Sequence, residues 1–453
     1  MNIKVVNRTM EIPLDYAAEP EIIKNSCLEI GGKAAGICYM PDNYLSEGIQ
    51  DKDNAVRRAK RNAISGHYSV FEHCHISFVI ETSKIMAMIL NSMRYYATSE
   101  KSARYTIMNP ETEIENEMYE KWNGIFGDLI SAYYVDRRTP QDIDKLSREN
   151  ARYMISVFTP TTMEHTLSFN RAILTCGWLD DLANAIQFIH SHQSPGLINS
   201  IDKNWDNFYV RVADECTEMA EAIRSCIGIT KEDPILKDHK DIGIEFFRTV
   251  NYINKTLHIG AREDSYEFKD IDRIADAIDE TYSDNYVSKF KASFACVAQN
   301  QRHRTLSVTI NLPRKLDCYV PKIIRGSIYE DEWRRDFKAL IDQGVVPQCT
   351  LLDVIERGRF EDFVLKCKER LCNRAQLEIM EATKDQVVNF ALHSKNLSEL
   401  NDIILKNMVE VHESDDGRFL DRIEVLARCR FSGYICNEPC GLSTAKINYY
   451  RNI

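Results

Sequence analysis

The sequence predicts an α+β fold, and three observations predict it. Most of the chain carries the apolar spacing of helices. One stretch, "HCHISFVIE" (73–81), alternates as a strand does, with Ile76, Phe78 and Ile80 on one face. A single plan, a helix with an apolar stripe closed by an arginine-bearing segment, occurs twice.

In chain order, "DNAVRRAKRNAI" (53–64) reads as a helix with Asp53 as its N-cap, and Arg57, Arg58, Lys60 and Arg61 as its solvated face. Gly66 then breaks the helix. "GHYSVFEH" (66–73) gathers His67, Ser69, Glu72 and His73 just before the strand. Polar groups there suit a ligand-binding loop or, equally, a helix cap with satisfied histidines. "SKIMAMILNSMRYY" (83–96) places Ile85, Met88, Ile89 and Met93 on a stripe expected to be core. "EKSARY" (100–105) follows, where the Ser102 hydroxyl and the Arg104 guanidinium could clamp a phosphate. Glu100 could accept hydrogen bonds from a ring or sugar.

"GITKEDPILKDHKDIG" (228–243) reads as a connector. "VSKFKASFACVAQNQRHR" (287–304) repeats the striped helix with Phe290, Phe294 and Val297, ending in Arg302, His303 and Arg304. Cations at a helix C-terminus complement its dipole, or the triplet grips an anion or an electron-rich ring. In "ERLCNRAQLEI" (369–379), a continuous helix puts Arg370 and Arg374 on one face. Cys372 then points about 200° away around the helix. Glu369 and Glu378 could instead pair with those arginines on an exposed helix. The tail, 381–453, ends in "RCRFSGYICNEPCGLSTAKINYY", which holds Cys429, Cys436 and Cys440. Three thiols in C-x6-C-x3-C spacing can meet one metal, with Cys372 as the favoured fourth ligand. The occupant is zinc or an iron–sulfur cluster; the alternative is ordinary thiols.

Composition sets limits on function. With 68 acidic against 57 basic residues, the net charge of −11 argues against general nucleic-acid binding. The start, "MNIKVVNRTMEI", has no apolar signal core, and no run is long and apolar enough to span a membrane. Scattered cysteines, 14 in all, fit a reducing cytoplasm.

These pieces, in this order, resemble the flavin-dependent thymidylate synthases. The resemblance joins "GHYSVFEH", a degraded "SMR" (92–94), seven residues, "SAR" (102–104), and "ENAR" (149–152) followed by Asn170. A second copy follows with Gln299 and an intact "RHR" (302–304). There the serine position is Leu312, Arg314 is kept, and "RLCNRAQLEI" carries Arg374 where the family usually has His. The match preserves order across most of 55–380.

The resemblance implies two modules, each of helices around a small antiparallel sheet. Module one is 1–228, a linker 229–243, module two 244–380, and a helical, cysteine-bearing extension 381–453. It also implies reductive methylation of dUMP to dTMP, with methylenetetrahydrofolate giving the carbon, FAD the hydride and NADPH the reducing equivalents. Arg302 and Arg304, with Arg94, would stabilise charge on the uracil carbonyls. His67, Ser69, Glu72, Asn170, Arg302, His303, Arg304 and Arg374 would bind flavin. Gln299, Glu100, Ser102, Ala103, Arg104, Arg152 and Arg370 would bind the nucleotide. Family sites form between subunits, so a tandem chain is expected as a homodimer that makes a pseudo-tetramer. The rival expectations are modification of another pyrimidine nucleotide, a non-catalytic flavin- or nucleotide-binding protein, and a scaffold for the tail metal.

Overall fold

The computed structural model describes residues 19–39, 46–93, 96–103, 106, 108–134, 138–191, 204–233, 285–313, 315–393, 407–413, 420–437 and 440. The chain packs as two compact units, neither continuous in sequence. Unit 1 takes Met1–Lys101, Thr161–Asn199 and Trp205–Lys255; unit 2 takes Ser102–Pro160, Ser200–Asn204 and Thr256–Ile453. Among the described residues, no helix is long and apolar enough to cross a membrane.

In unit 1, helix α1 (Pro20–Tyr39) packs on α3 (Lys52–Ile64), with the short α2 (Glu47–Gln50) between them in sequence. Small residues allow close approach: Ala35, Ala55, Ala59 and Ala63 are buried, and a Cβ at Gly32 would lie 1.8 Å from the Ala55 carbonyl oxygen. The cap of α3 is Asp51, not the expected Asp53, because the Asp51 carboxylate is the one placed to accept the Asn54 amide (2.7 Å). Gly66 ends α3 at φ +75, as expected, and His67 N–H returns to the Asn62 carbonyl (2.9 Å), a Schellman closure. A 3-10 turn, Tyr68–His73, leads into strand β1 (His75–Ser83). Phe78 and Ile80 face inward on β1, as the alternation requires.

Ser83 ends β1 and caps α4 (Lys84–Ser92), accepting from Met86 N–H (3.1 Å). Strands β2 (Ala97–Glu100) and β3 (Pro160–Ser168) complete a sheet of order β1-β3-β2. Helices α7 (Phe169–Ser191) and α8 (Asn204–Ile227) follow.

The segment between β2 and β3 belongs to unit 2. Its α5 (Glu113–Tyr133) and α6 (Pro140–Ala151) join a core with α10 (Ile328–Asp342). Trp122, Phe126 and Trp333 meet edge to face or tilted at its centre. The rest of unit 2 is built on β4 (Asn285–Ser293), α9 (Phe294–Asn300), β5 (Ser307–Asn311) and β6 (Leu351–Arg359), followed by α11 (Phe360–Arg370) and α12 (Leu377–His393). Both β4 and β5 run antiparallel to the central β6. The tail adds a hairpin of β7 (Val409–Glu413) and β8 (Leu420–Val425).

Three expectations need correction. The helix read over 287–304 is a strand through Ser293, since every residue from Asn285 to Ser293 pairs with β6, and only Phe294–Asn300 is helical. The helix read over 369–379 is broken: α11 stops at Arg370 and α12 starts at Leu377, with a turn closed by Ala375 N–H on the Cys372 carbonyl (2.8 Å). Arg370 and Arg374 therefore do not share a helical face. The tail is not helical throughout, because α12 runs across the expected boundary at 380 and the hairpin follows it.

The two three-stranded sheets share one order, with the third strand central. Both repeat one junction as well. A serine ends the first strand, caps the next helix and donates its hydroxyl to a glutamate from a later helix: Ser83 to Glu215 on α8, and Ser293 to Glu378 on α12.

The closeness of α1 and α3 gives a stability test. Gly32→Ala should cost about 1–3 kcal/mol, because the added methyl meets rigid backbone rather than a movable side chain. Denaturant unfolding of the two proteins measures it, and an unchanged midpoint would contradict the packing.

Candidate functional site

Unit 1 organises its polar residues around Glu72. The 3-10 turn leaves this carboxylate half-buried, where it accepts from Asn170 Nδ2 (2.7 Å) and Ser168 Oγ and pairs with Arg171 Nε (3.4 Å). Ser168 Oγ also accepts the Arg171 N–H (3.1 Å) and so caps α7. Two expected site residues, Glu72 and Asn170, are thus in direct contact. Ser168 and Arg171 complete the group and had no motif to announce them. His67 and Ser69, on the same turn, are exposed, as are His73 and His75. Glu100 stands apart on β2, held by Lys84 Nζ (2.6 Å), whose ammonium also donates to the Lys101 carbonyl (2.8 Å).

Unit 2 organises the second set around α9 and α11. Arg302 and Arg304 lie exposed on the turn after α9. His303 between them turns inward: it is buried, and its Nε2 accepts from Arg370 Nε (2.8 Å). Arg370 Nη2 also donates to the Gln299 carbonyl (3.0 Å). Three expected residues, Gln299, His303 and Arg370, therefore form one contact group, while Arg374 sits exposed on the following turn. Burial, then the charges of Arg370 and Lys366, pull the His303 imidazole down to about 2, so it is a neutral acceptor across the physiological range.

Behind this surface lies a fully buried network that the motifs did not mark. Lys366 Nζ pairs with both oxygens of Glu356 (2.8 and 2.9 Å) and reaches Gln386 Oε1 (2.9 Å). Glu356 also accepts from Tyr286 OH (2.9 Å) and from Asn300 Nδ2. The available signal was a charge at an inward position: Glu356 continues the buried face of Leu352 and Val354. Glu378 is a further buried acid, accepting from Ser293 N–H (2.8 Å), Ser293 Oγ (2.6 Å) and Tyr153 OH (2.7 Å). Burial raises its carboxyl above the usual range, against the pull of these donors.

The remaining expected residues are placed as follows. Arg152 is buried against the Tyr153 ring (5.8 Å to its centroid), and Ala103 is buried in the core with Trp122. Ser102 is half-buried, and its carbonyl accepts the Thr106 N–H (3.0 Å). Arg94, Arg104 and Arg314 lie outside the described residues. Cys372, Cys429, Cys436 and Cys440 are all half-buried. The expected convergence of these thiols is not formed: among the described residues, no three His, Cys, Asp or Glu side chains stand together as a metal-holding group. The break after Arg370 takes Cys372 off the helix on which that expectation relied.

Residues 28–176 match the family model of the thymidylate synthase complementing protein, about a third of the chain. The match includes the Glu72 group, Glu100, Ser102, Ala103 and Arg152, and ends before the Gln299–Arg304 turn. No curated protein matches the chain.

The buried neutral histidine gives a pH test. Its ordinary value is 6.5 and its folded value is about 2, so below 6.5 the unfolded chain binds a proton that the folded chain refuses. Its contribution is intact above 6.5 and is lost as pH falls toward 2. His303→Gln keeps an acceptor for Arg370 but cannot titrate. The stability difference between wild type and variant should therefore shift by about 1.4 kcal/mol per pH unit on acidification, in favour of the variant. Parallel denaturation curves from pH 7 to 4.5 would sink the assignment.

Proposed function

We propose, from the match of residues 28–176 to the family model of the thymidylate synthase complementing protein, that the protein is a flavin-dependent thymidylate synthase. It would convert dUMP to dTMP with methylenetetrahydrofolate and NADPH. The observation that carries this reading is the family match over the stretch holding "GHYSVFEH", whose glutamate is built into a network with Asn170. A thymidylate synthase-related role rests on the match itself.

The residues present fit FAD chemically. A dinucleotide cofactor brings a diphosphate and a ring system rich in hydrogen-bond acceptors. In unit 2 the exposed guanidinium groups of Arg302 and Arg304 are suited to the diphosphate; in unit 1 the exposed His67 and Ser69 carry groups suited to a ring's acceptors. Arg374 would join Arg302 and Arg304. When bound, the flavin would supply the hydride.

The chain's own residues hold and orient. Glu72 fixes the Asn170 amide and the start of α7, so that these donors meet a ligand already aligned. His303 stays neutral and anchors Arg370, fixing the guanidinium beside the Arg302–Arg304 turn. Arg302 and Arg304 would stabilise negative charge growing on the pyrimidine carbonyls. Ser102 and Arg104 would grip the phosphate, with Glu100, held by Lys84, beside them in sequence. A homodimer would supply the complementary half-sites.

Two departures favour a second reading, the same chemistry on another pyrimidine nucleotide. Leu312 stands at one serine position, and Arg374 replaces the usual histidine.

The deciding experiment supplies purified protein with FAD, NADPH and carbon-labelled methylenetetrahydrofolate, then dUMP or dCMP. Labelled dTMP is the expected product. Label in the cytosine nucleotide alone would select the second reading. No flavin retention and no labelled pyrimidine would overturn both. Arg302→Ala should lower turnover roughly 10- to 100-fold, which corresponds to a lost charge-assisted contact of about 1.5–3 kcal/mol. Unchanged turnover would remove Arg302 from the chemistry.

A further inference from the structure

We propose that Cys27 and Cys74 are a reversible dithiol–disulfide pair, whose closure pins the turn that carries Glu72 to helix α1.

The first observation is contact. Both cysteines are buried, and their sulfurs lie 2.8 Å apart. A disulfide bond is about 2.05 Å long, so closure draws them together by roughly 0.8 Å.

The second observation is what the two sulfurs would join. Cys27 is on α1, and a Cβ at Gly31, one helical turn on, would meet Phe71 Cδ1 at 2.9 Å and the Val70 carbonyl oxygen at 3.2 Å. The Tyr68–His73 turn therefore lies directly on this part of α1. Cys74 follows that turn, and its carbonyl accepts the Phe169 N–H (2.8 Å) at the start of α7. The rings of Phe71 and Phe169 meet edge to face, 6.0 Å between centroids. Glu72, between Phe71 and Cys74 in sequence, holds Ser168 and Asn170 on either side of Phe169. A bond at Cys74 thus reaches the Glu72 group through a backbone already tied to it.

The third observation is an asymmetry between the sulfurs. Cys27 is 2% exposed and Cys74 7%, and Cys74 sits between the exposed His73 and His75. As acceptor of the Cys27 S–H, Cys74 is held below its ordinary thiol value, against the pull of burial. The same contact and burial push Cys27 up. Cys74 is the sulfur placed to react first, and Cys27 the one placed to resolve.

The chemistry takes a peroxide as oxidant and a dithiol as reductant. The Cys74 thiolate attacks one peroxide oxygen, the O–O bond breaks, and the other oxygen leaves as water with the proton that Cys74 gave up. Cys74 is then a sulfenic acid. Cys27 attacks its sulfur, the S–S bond forms, and the hydroxyl leaves with the Cys27 proton as a second water. The two sulfurs lose two electrons and the peroxide gains them. A dithiol reverses the step by thiol–disulfide exchange and is itself oxidised. In a reducing compartment the pair would rest as thiols and close only under oxidant.

The test reads sulfur rather than turnover, so its outcome is separate from that of the flavin reading. Protein reduced with dithiothreitol and desalted without oxygen is treated, while folded, with hydrogen peroxide, then denatured and alkylated. Mass spectrometry should find the Cys27 and Cys74 peptides joined and lighter by two hydrogens, and dithiothreitol should part them. Cys176 and Cys216, buried in the same unit, should remain open to alkylation. Oxidised wild type should melt several degrees above reduced wild type, because the cross-link restricts the unfolded chain. Cys27→Ser should leave Cys74 at the sulfenic acid, trapped by dimedone, with no gain in melting temperature. Wild type whose Cys27 and Cys74 both stay open to alkylation after peroxide would overturn the proposal. So would oxidation spread evenly over the buried cysteines, or a linked pair that melts no higher than the thiol form.

Discussion

Unit 2 depends on one ion pair sealed from water. Lys366 and Glu356 are both fully buried, so each charge is tolerable only because the other is present. Removing one partner of such a pair costs on the order of 3–5 kcal/mol. The carboxylate also collects Tyr286 from β4 and Asn300 from α9, and the ammonium collects Gln386 from α12. Five elements are thereby registered on a single charge pair. The His303–Arg370 contact sits on two of them, since His303 follows α9 and Arg370 ends α11. The turn that carries the outward Arg302 and Arg304 is thereby held from behind.

Carboxylates play the same part elsewhere. Glu72 fixes the start of α7, and Glu115 completes the capping box of α5 with Thr112 while accepting Ser156 N–H (2.7 Å). Glu378 receives the serine that begins α9. The strand–serine–helix junction in each unit uses its glutamate alike, on sheets of the same strand order.

The sequence was legible where one periodicity ruled a segment. Ile76, Phe78 and Ile80 mark β1 because nothing nearby competes with the alternation. Over 287–304, Phe290 precedes the strand–helix junction and Phe294 and Val297 follow it, which imitates one helical stripe. The alternation of Ser288, Phe290 and Ala292 was the competing signal, and pairing with β6 decided between them. The break after Arg370 had no Gly or Pro to announce it. It is held by Arg428, nearly sixty residues away, on the Leu371 carbonyl, a tertiary contact invisible to local pattern. At the candidate site, the motif glutamate was legible and its partners Ser168 and Arg171 were not. His303 was singled out, but its inward direction depends on Arg370, which only the fold brings near.

The path of the chain between the units has a consequence for synthesis. Residues 102–160 leave after β2 and return at β3, yet their core partners, Trp333 and Phe337 among them, are encoded some 200 residues later. A nascent chain that has completed β3 can close the first sheet while Trp122 and Phe126 still await their counterparts. Until α10 emerges from the ribosome, Trp122 and Phe126 lack their later-encoded partners, and apolar surface left open in this way invites association. The interlacing also means that no cut at a single peptide bond yields two self-sufficient halves: the first 228 residues would carry away helices that the remainder needs for its core.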